Sequence, residues 1–598
     1  MADQLVFSES LQTTGTTQPF VEKQWIECND VNNGVYTSNQ IVFSTSSLVF
    51  STRWVSLPEG FLRIPLVMAI YQAEASTAFG DSIYSNYAMA MKSNFTNLIH
   101  SCDIKINGSS VGSNASYQNF FYSMKDLQSY SVSDLAHLPS TNFYPDNALS
   151  WTYGDSAFGD GRGVCNNRPF TSMFSNLVNF TTADVVANTF PTANIAEAGL
   201  STELGVQTYP LYDQLLTEQT NDGMLKRQKQ YAFNPASSVY SGFLTDSNTQ
   251  QVWKNYFAKV SSSPTGKALV WYINAIIPLK SFSSFFEEAP LMRSTKIDMI
   301  LNINQGTAAF TATGVAATGA VPRHCTLTQT SAEFSYGVCP FLVSSGDVGQ
   351  PNALLHTDTG AKTFYAGLGV VSLTPKGSYF STTLQHTCKN SAMVVPTYMM
   401  NTSAENEYLS LSGGDKTFYY RDITSYPLTN QSGTIQPLLM TGAVKPISLS
   451  IYPFLTSTSN GGLGFAEIAS IFSTAPATCA PLFTAYDYNV QVSSNNVYQN
   501  SINYNYQNFV EEITQFGTMN GNSVCSLGSG LISQVAWENL YGFLTTSLSR
   551  RVSGDSTPKS IGFKMTIKSS KAVDLYAFVE VLKSITIDLQ TGNVKAIN

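Results

Sequence analysis

Charge is what this sequence has least of. Only 12% of its 598 residues are Asp, Glu, Lys or Arg, about half of the roughly 25% usual in a soluble domain. No run of Lys or Arg forms a basic tail, and 32 cationic against 40 acidic residues leave a formal net charge of -8. Counterion-release binding to nucleic acid needs clustered cations, so no strong contact with DNA is expected. Long apolar runs are also missing: the most apolar stretch near the start, Ile64 to Tyr71, is far short of the roughly 20 residues a membrane helix needs. Met1-Ala2-Asp3-Gln4 is not a charged region leading into an apolar one, so no secretory signal is expected. The eight cysteines (Cys28, Cys102, Cys165, Cys325, Cys339, Cys388, Cys479, Cys525) are scattered, the distribution of free thiols in a protein made inside a cell. Sequons such as Asn94-Phe95-Thr96, Asn107-Gly108-Ser109 and Asn401-Thr402-Ser403 are expected by chance in a chain so rich in Asn, Ser and Thr.

What is present is apolar and aromatic. Hydrophobic residues make up 43% and aromatics 12%, with 31 Tyr and 36 Phe, enough for extensive cores and incompatible with global disorder. The length exceeds the roughly 250 to 300 residues at which one core stops growing, so two large domains are expected. With few charges, short neutral side chains supply the polar surface. Such a surface suits strands and broad subunit contacts, because few ion pairs are desolvated when faces meet.

Period-two alternation recurs along the whole chain, the mark of strands with one buried face. Asp103 to Gly108 alternates and ends in Asn107-Gly108, a strong hairpin signal. Ile297 to Asn304, Tyr488 to Ser493, Ile561 to Ile567 and Ile585 to Leu589 alternate in the same way. Helical signals are few: Leu531, Ile532, Val535, Ala536, Leu540 and Phe543 share one helical face, Ser284 with Glu287 has capping-box spacing, and Tyr212 to Tyr231 reads as a helix broken at Gly223. Small residues without period two between Gln305 and Pro322 predict an inter-domain connection. No repeat of propeller length is visible, and two antiparallel sandwiches are the leading architecture.

Several segments carry a resemblance. Ile276 to Ile297 runs Ile-Ile-Pro-Leu-Lys-Ser-Phe-Ser-Ser-Phe-Phe-Glu-Glu-Ala-Pro-Leu-Met-Arg-Ser-Thr-Lys-Ile: an apolar strand, a Phe-Phe-acidic turn, Pro-Leu, a basic residue and another strand. It resembles a segment of the major capsid proteins of virophages and polinton-like viruses, and Leu301-Asn302-Ile303-Asn304 matches the strand end that follows. Tyr408-Leu409-Ser410 with Lys416 to Asp422, Asn489 to Ser493, Tyr504-Asn505-Tyr506 with Phe509 and Glu511-Glu512, Gly530 to Ser533 with Trp537-Glu538, and Leu548 to Arg551 before Pro558 to Ile561 continue the pattern in the second half. Asn221-Asp222-Gly223 with Arg227 resembles a loop motif of the first half, whereas Cys388-Lys389 departs from the family's Cys-Arg.

The resemblance implies an all-β protein of two tandem jelly rolls, each an antiparallel eight-stranded β-sandwich, with a few short helices and long loops. The expected division is an arm over 1–34, a first jelly roll over 35–305, the connection over 306–322, a second jelly roll over 323–590 and a tail over 591–598. It further implies a virion shell subunit, assembled inside a eukaryotic host cell, that trimerises into pseudo-hexagonal capsomers. Penton and minor capsid proteins would be its other partners, and it would enclose double-stranded DNA. Phe285, Phe286, Pro290, Leu291 and Arg293 are read as a structural motif setting the approach to the last strand of the first jelly roll. The two rings anchor it, Pro290 ends the turn and Arg293 ties it to an acidic neighbour; Trp537 belongs to the matched pattern of the second half.

No catalytic, cofactor-binding or metal-binding residue is assigned. Gly108-Ser109-Ser110-Val111-Gly112 matches the nucleophile-elbow pattern, but that motif needs a strand-to-helix turn and here it follows a hairpin signal. Ser263 to Lys267 resembles the end of a phosphate loop, with Ser261 in place of the first Gly and Ala268 in place of the magnesium ligand. His324-Cys325 with Cys339, and His386 with Cys388, lack paired knuckles. Glu287-Glu288 and Glu511-Glu512 read as solvated edges or salt links. The rival functions are a carbohydrate-binding or carbohydrate-active sandwich and a fibre or adhesin, with an extracellular glycosylated protein as the plain alternative.

Overall fold

A computed structural model describes residues 19–36, 38–46, 53–72, 87–138, 141–146, 222–227, 268–314, 325–345, 361–376, 383–457, 464–479, 485–517, 530–548, 557–568 and 572–597. Among these, strands dominate. In chain order they are β1 (Phe20–Asn29), β2 (Gln40–Ser44), β3 (Trp54–Val55), β4 (Phe61–Gln72), β5 (Tyr87–Met91), β6 (Ile99–Ile106), β7 (Ser109–Ser110), β8 (Ala268–Pro278) and β9 (Ile297–Ile303). There follow β10 (Gly306–Gly314), β11 (Cys325–Phe334), β12 (Phe341–Ser345), β13 (Ala361–Val370), β14 (Ser372–Leu373), β15 (Leu384–Gln385) and β16 (Ala392–Met400). The remainder are β17 (Asp415–Gln431), β18 (Gly433–Ile435), β19 (Leu438–Ala443), β20 (Pro446–Leu455), β21 (Ala485–Val492), β22 (Asn495–Asn496), β23 (Leu544–Ser547), β24 (Lys559–Ile567), β25 (Val573–Asp588) and β26 (Val594–Ile597). The α-helices are α1 (Gln118–Ser129), α2 (Asp222–Arg227), α3 (Ser284–Glu288), α4 (Thr402–Ser412), α5 (Tyr506–Gly517) and α6 (Gln534–Asn539).

Strand pairing divides these elements into two sandwiches of the same design. In the first, one sheet runs β1–β16–β4–β8 and the other β2–β9–β6–β7. If β1, β2, β4, β6, β7, β8, β9 and β16 are numbered one to eight, the orders are 1-8-3-6 and 2-7-4-5. In the second, β17–β25–β20–β23 faces a sheet in which β18 and β19 both flank β24, followed by β21 and β22. With β18 and β19 sharing the second place, the orders are again 1-8-3-6 and 2-7-4-5. Every pair is antiparallel, and this order in two facing sheets is the jelly roll. The fold is all-β with two tandem jelly rolls.

The boundary between them is not where the sequence points. Residues 306–314, expected to connect the domains, form β10, which pairs with β11 and β13, and β13 continues the pairing edge of β4 in the first sandwich. Strands β10 to β15 are therefore an excursion of the first jelly roll between its seventh and eighth strands. The first jelly roll closes only with β16, and α4 leads to β17. Small Ala, Thr and Gly residues mimic a linker in the sequence, yet on β10 they allow close approach: a Cβ on Gly306 would lie 2.1 Å from the Glu333 carbonyl oxygen. The ends are likewise corrected, since β1 lies within the expected arm and β26, in the expected tail, pairs with β25.

The local physics explains the strands that were legible. β9 alternates strictly between buried and half-buried residues, so one face meets the core and the other the partly wetted side. Asn107 and Gly108 both take positive φ and close β6 onto β7, the conformation a two-residue primed turn requires. The expected capping box at Ser284 does not form: Ser283 precedes α3, and the Ser284 hydroxyl serves another segment. The Leu531 to Phe543 helix shortens to α6, capped by the Ser533 hydroxyl accepting from Ala536 N. Of the Tyr212 to Tyr231 helix, α2 covers 222–227 and the rest lies outside the described residues.

Helix α1 shows why it escapes a pattern search. Its residues 118–124 and Leu127 are buried, because it is wedged between the two sandwiches and has no single apolar stripe. Phe120 meets Phe454 and Tyr576 edge-on at 5.3 and 4.9 Å, and Phe121 meets Phe578 at 5.7 Å. Its other side is held by Asn119 donating to Asn97 and by Asn94 donating to Asp126. The Leu127 carbonyl at its end accepts from Leu531 N of the second sandwich at 2.8 Å, satisfying a group a helix terminus leaves open. Gly530, at φ +64, makes this approach possible: a Cβ there would stand 2.4 Å from the carbonyl oxygens of both Leu127 and Gln128. Gly530→Ala should therefore lower thermal stability by more than the ~1 kcal/mol of a strained backbone alone, measured as a fall in Tm against a neutral surface substitution.

Candidate functional site

The residues singled out in the sequence mostly converge, and they converge on the junction between the sandwiches. Phe285 is fully buried and packs edge-on against Tyr420 at 5.5 Å, against Phe418 at 5.7 Å, both on β17, and against Phe286 at 5.6 Å. Phe286 in turn meets Phe282 at 5.7 Å. Ser284 Oγ donates to Arg421 O at 2.9 Å and accepts from Arg421 N at 2.7 Å. Pro290 and Leu291 are buried beyond the helix, and the Leu291 carbonyl accepts from Tyr408 OH at 3.3 Å. Arg293 forms an ion pair with Glu405 of α4 at 2.6 Å, and its backbone N–H donates to Leu589 O. The motif thus clamps the first strand of the second sandwich. It also precedes β9, which is the seventh strand of the first jelly roll and not its last. Trp537 lies apart, on α6, where its Nε1 donates to Phe543 O at 3.1 Å and its ring lies 5.9 Å from Phe509.

A second set of contacts widens the junction. Asp422 of β17 accepts from Ser113 N at 3.1 Å and from Ser113 Oγ at 2.5 Å, and Lys583 reaches the same carboxylate at 2.5 Å. Tyr420 OH donates to Val111 O at 2.5 Å. The segment after β20 reaches back: Cys339 N and Val343 N donate to Ile468 O and Ile471 O, both at 2.8 Å.

Sequence reasoning missed the buried charges around this segment, because a lone charged residue in a string gives no sign of its depth. Arg227 and Asp146 are both buried and paired at 2.5 Å, with Arg227 also donating to Met91 O at 2.9 Å and to Tyr144 O. Lys92 is fully buried, donating to Ser470 O at 2.7 Å and to Ala475 O, and burial brings its ammonium down to about 8. Glu467 accepts from Leu455 N and Ser473 Oγ. Of the Glu511-Glu512 pair, Glu512 is buried and accepts from Ser547 N at 2.7 Å and Tyr498 OH at 2.9 Å, while Glu511 is exposed. Lys92, Glu467 and Glu512 are each met by backbone groups and the Asp146 carboxylate by the Arg227 guanidinium, as burial demands.

Chemistry-bearing motifs resolve into structure. Ser109 and Ser110 form the return strand of the hairpin, so no strand-to-helix elbow exists there. His386 Nδ1 accepts from Cys388 N at 2.9 Å. Cys339 is buried and burial pushes its thiol up to about 11. Cys102, Cys339, Cys388 and Cys479 carry free thiols. Cys165, Cys525, His324 and Ser263 to Lys267 lie outside the described residues, as does the side chain of Cys325. Among the described residues no group of three or more His, Cys, Asp or Glu is placed to hold a metal ion, and no helix is long and apolar enough to cross a membrane.

His100 on β6 provides a pH handle on the first sandwich. Its ring stacks on Tyr336 at 4.2 Å and meets Tyr117 at 4.6 Å, and burial lowers its pKa to about 4. Above pH ~6.5 it is neutral both folded and unfolded; below that the unfolded chain takes a proton that the folded chain refuses until pH ~4. Stability should fall across that window by about 3 kcal/mol from this group, at ~1.4 kcal/mol per pH unit. Melting His100→Phe beside the parent from pH 7 to 4 should give the variant the flatter profile.

No protein-family model and no curated protein matches this chain. Solved structures do. The cryo-EM structure of the Sputnik virophage contains a chain 9% identical, matched over 98% of this chain and 89% of that one at a TM-score of 0.47. The mavirus major capsid protein is 10% identical over 98% and 91%, at 0.40. The Faustovirus major capsid protein is 10% identical over 95% and 91%, at 0.38.

Proposed function

We propose that this chain is the major capsid protein of a small double-stranded DNA virus of the virophage or polinton-like kind, a shell subunit with no catalytic role. Three copies form a pseudo-hexagonal capsomer, and capsomers tile an icosahedral shell assembled inside a eukaryotic host cell. Penton and minor capsid proteins complete the shell, which encloses DNA without tight binding by this subunit.

The observation that carries the reading is the duplication itself: two jelly rolls of one strand order, clamped side by side in one chain by α1, α3 and the 464–479 segment. Such a chain presents two similar upright blocks, and three chains then present six, which suits hexagonal tiling from one gene. The segment resembling virophage and polinton-like capsid proteins lies at the clamp. A surface poor in charge favours this use, because little desolvation opposes contact between copies. Negative-stain electron microscopy of the purified protein tests the reading: six-lobed discs are expected, and isolated two-lobed particles at all concentrations would refute it.

A further inference from the structure

The first jelly roll sorts its connections by length. Because neighbouring strands in each of its sheets are antiparallel, the connections that follow odd-numbered strands leave one end of the sandwich and those that follow even-numbered strands leave the other. At the even end the links are short: 45–60, 107–108 and 279–296. At the odd end three of the four are long, 73–98, 111–267 and 304–391, beside 30–39. Binding groups collect on loops that a rigid scaffold carries. A cavity of about 440 Å³ opens at this odd end. It is lined by Asn39 from the first link and by the excursion after the seventh strand, through Gly306, Glu333, Gly369 and Lys376.

The lining is fixed by contacts around it. Gln305 donates from Nε2 to Asn39 Oδ1 at 2.6 Å and accepts at Oε1 from Val370 N at 3.0 Å, while its backbone N–H donates to Ser335 Oγ at 3.1 Å. Asn39 is thereby oriented, with its Nδ2 turned away from Gln305. Two lining positions are bare backbone. A Cβ on Gly306 would stand 2.1 Å from Glu333 O and one on Gly369 2.2 Å from Ser372 O, so neither admits a side chain. The wall from Ser372 to Thr374 follows Val371, a β-branched residue at φ +62, a conformation such residues rarely adopt. Val371 N donates to Pro65 O and Val371 O accepts from His386 N, both at 2.8 Å, which holds it there. Backbone strain maintained in this way collects at ligand sites. At the mouth Glu333 and Lys376 form an ion pair, their side chains 58% and 43% exposed. Leu368, Leu373 and Phe334 supply the apolar part of the lining.

We propose that this cavity binds a neutral saccharide of one or two pyranose rings. Its volume lies within the roughly 300–1,000 Å³ usual for small-ligand sites. Its chemistry selects the class. One carboxylate and one ammonium, already paired, leave no net charge, so an anionic ligand is opposed by Glu333 and a cationic one by Lys376. A neutral polyol satisfies both: neighbouring hydroxyls donate to the Glu333 carboxylate and accept from Lys376 Nζ and Asn39 Nδ2, and the C–H face of the ring lies on Phe334 and Leu373. Preformed walls mean that few rotamers are frozen on binding. Carbohydrate binding, a rival to the shell role when the sequence alone is considered, thus becomes an added property of a shell subunit, one that holds a glycan-bearing surface by the end with the long connections. The site stands or falls apart from assembly.

Saturation-transfer NMR on the full chain tests the site. The probes are the methyl glycosides of glucose, galactose, mannose and N-acetylglucosamine and the disaccharides lactose and cellobiose, with sialic acid and glucosamine as charged controls. At least one neutral sugar should give a saturable signal at millimolar concentration, and the charged controls none. Glu333→Gln keeps the shape and removes the charge, and should weaken that sugar by about tenfold, the share of one charge-assisted hydrogen bond. Thr374→Trp, at an exposed position of the wall, should fill the mouth and abolish the signal. Circular dichroism and Tm equal to the parent's confirm that both variants keep the fold. Silence from every neutral sugar, or a signal unchanged in both variants, would overturn the site. Neither result touches the shell reading, which particle mass and shape decide.

Discussion

Phe285→Ala should cost about 3–5 kcal/mol of unfolding free energy and should sharply reduce the yield of assembled protein. The ring is fully buried and is the point at which α3 of the first jelly roll enters the second, against Phe418 and Tyr420. Truncation leaves a cavity bounded by strand β17, which cannot collapse without giving up its pairing to β25. Phe286→Ala should cost a similar amount, because that ring is equally buried between Phe282 and Phe285. The two should differ in what comes apart. Phe285→Ala loosens one sandwich against the other, so limited proteolysis should cut near α4 before either sandwich unfolds. Phe286→Ala should act on the first jelly roll alone. Chemical denaturation with proteolysis at low denaturant separates these outcomes, and equal stability with the parent in both variants would mean that the segment carries no load at the junction.

Arg227→Met should be as damaging, at about 3–5 kcal/mol. Its guanidinium is entirely buried and meets Asp146 while also serving the carbonyls of Met91 and Tyr144. Met fills similar volume, so the loss comes from a stranded carboxylate and unpaired carbonyls, not from a void. Replacing both partners, as Arg227→Met with Asp146→Leu, should recover much of the loss, because a buried pair exchanged for apolar groups is often close to neutral. Urea unfolding of the two single variants and the double variant forms a complete cycle. Additive losses would show that the two side chains act independently.

How far the sequence reached can be read from particular elements. Strands with one wetted face announce themselves by alternation, as β9 and β24 do, and the Asn107-Gly108 turn follows from the conformations these residues tolerate. The fold class was legible for that reason and through the resemblance. The boundary was not, because β10 and β11 are built from small and polar residues whose strand character comes from tertiary pairing, β11 on β10, β10 on β13 and β13 on β4. Helices α1 and α5 were missed for different reasons: α1 is buried throughout Gln118 to Met124, so no single apolar stripe marks it, and α5 begins with a run of Tyr and Asn that reads as a loop. The repeated Tyr-Gln-Asn-Phe, at Tyr117 to Phe120 and Tyr506 to Phe509, was the available signal for both, since it falls at the start of each helix. Buried charges such as Lys92, Glu467 and Glu512 have no local signature, because depth is set by segments distant in the chain.

The central claim is that one duplicated chain supplies two of six blocks in a closed ring, and its solution mass tests this most directly. Light scattering of the purified full-length protein at neutral pH and moderate salt should give three times the 65.1 kDa chain mass, unchanged on tenfold dilution in the micromolar range. A mass equal to one chain at every concentration, or a stable dimer, would contradict it.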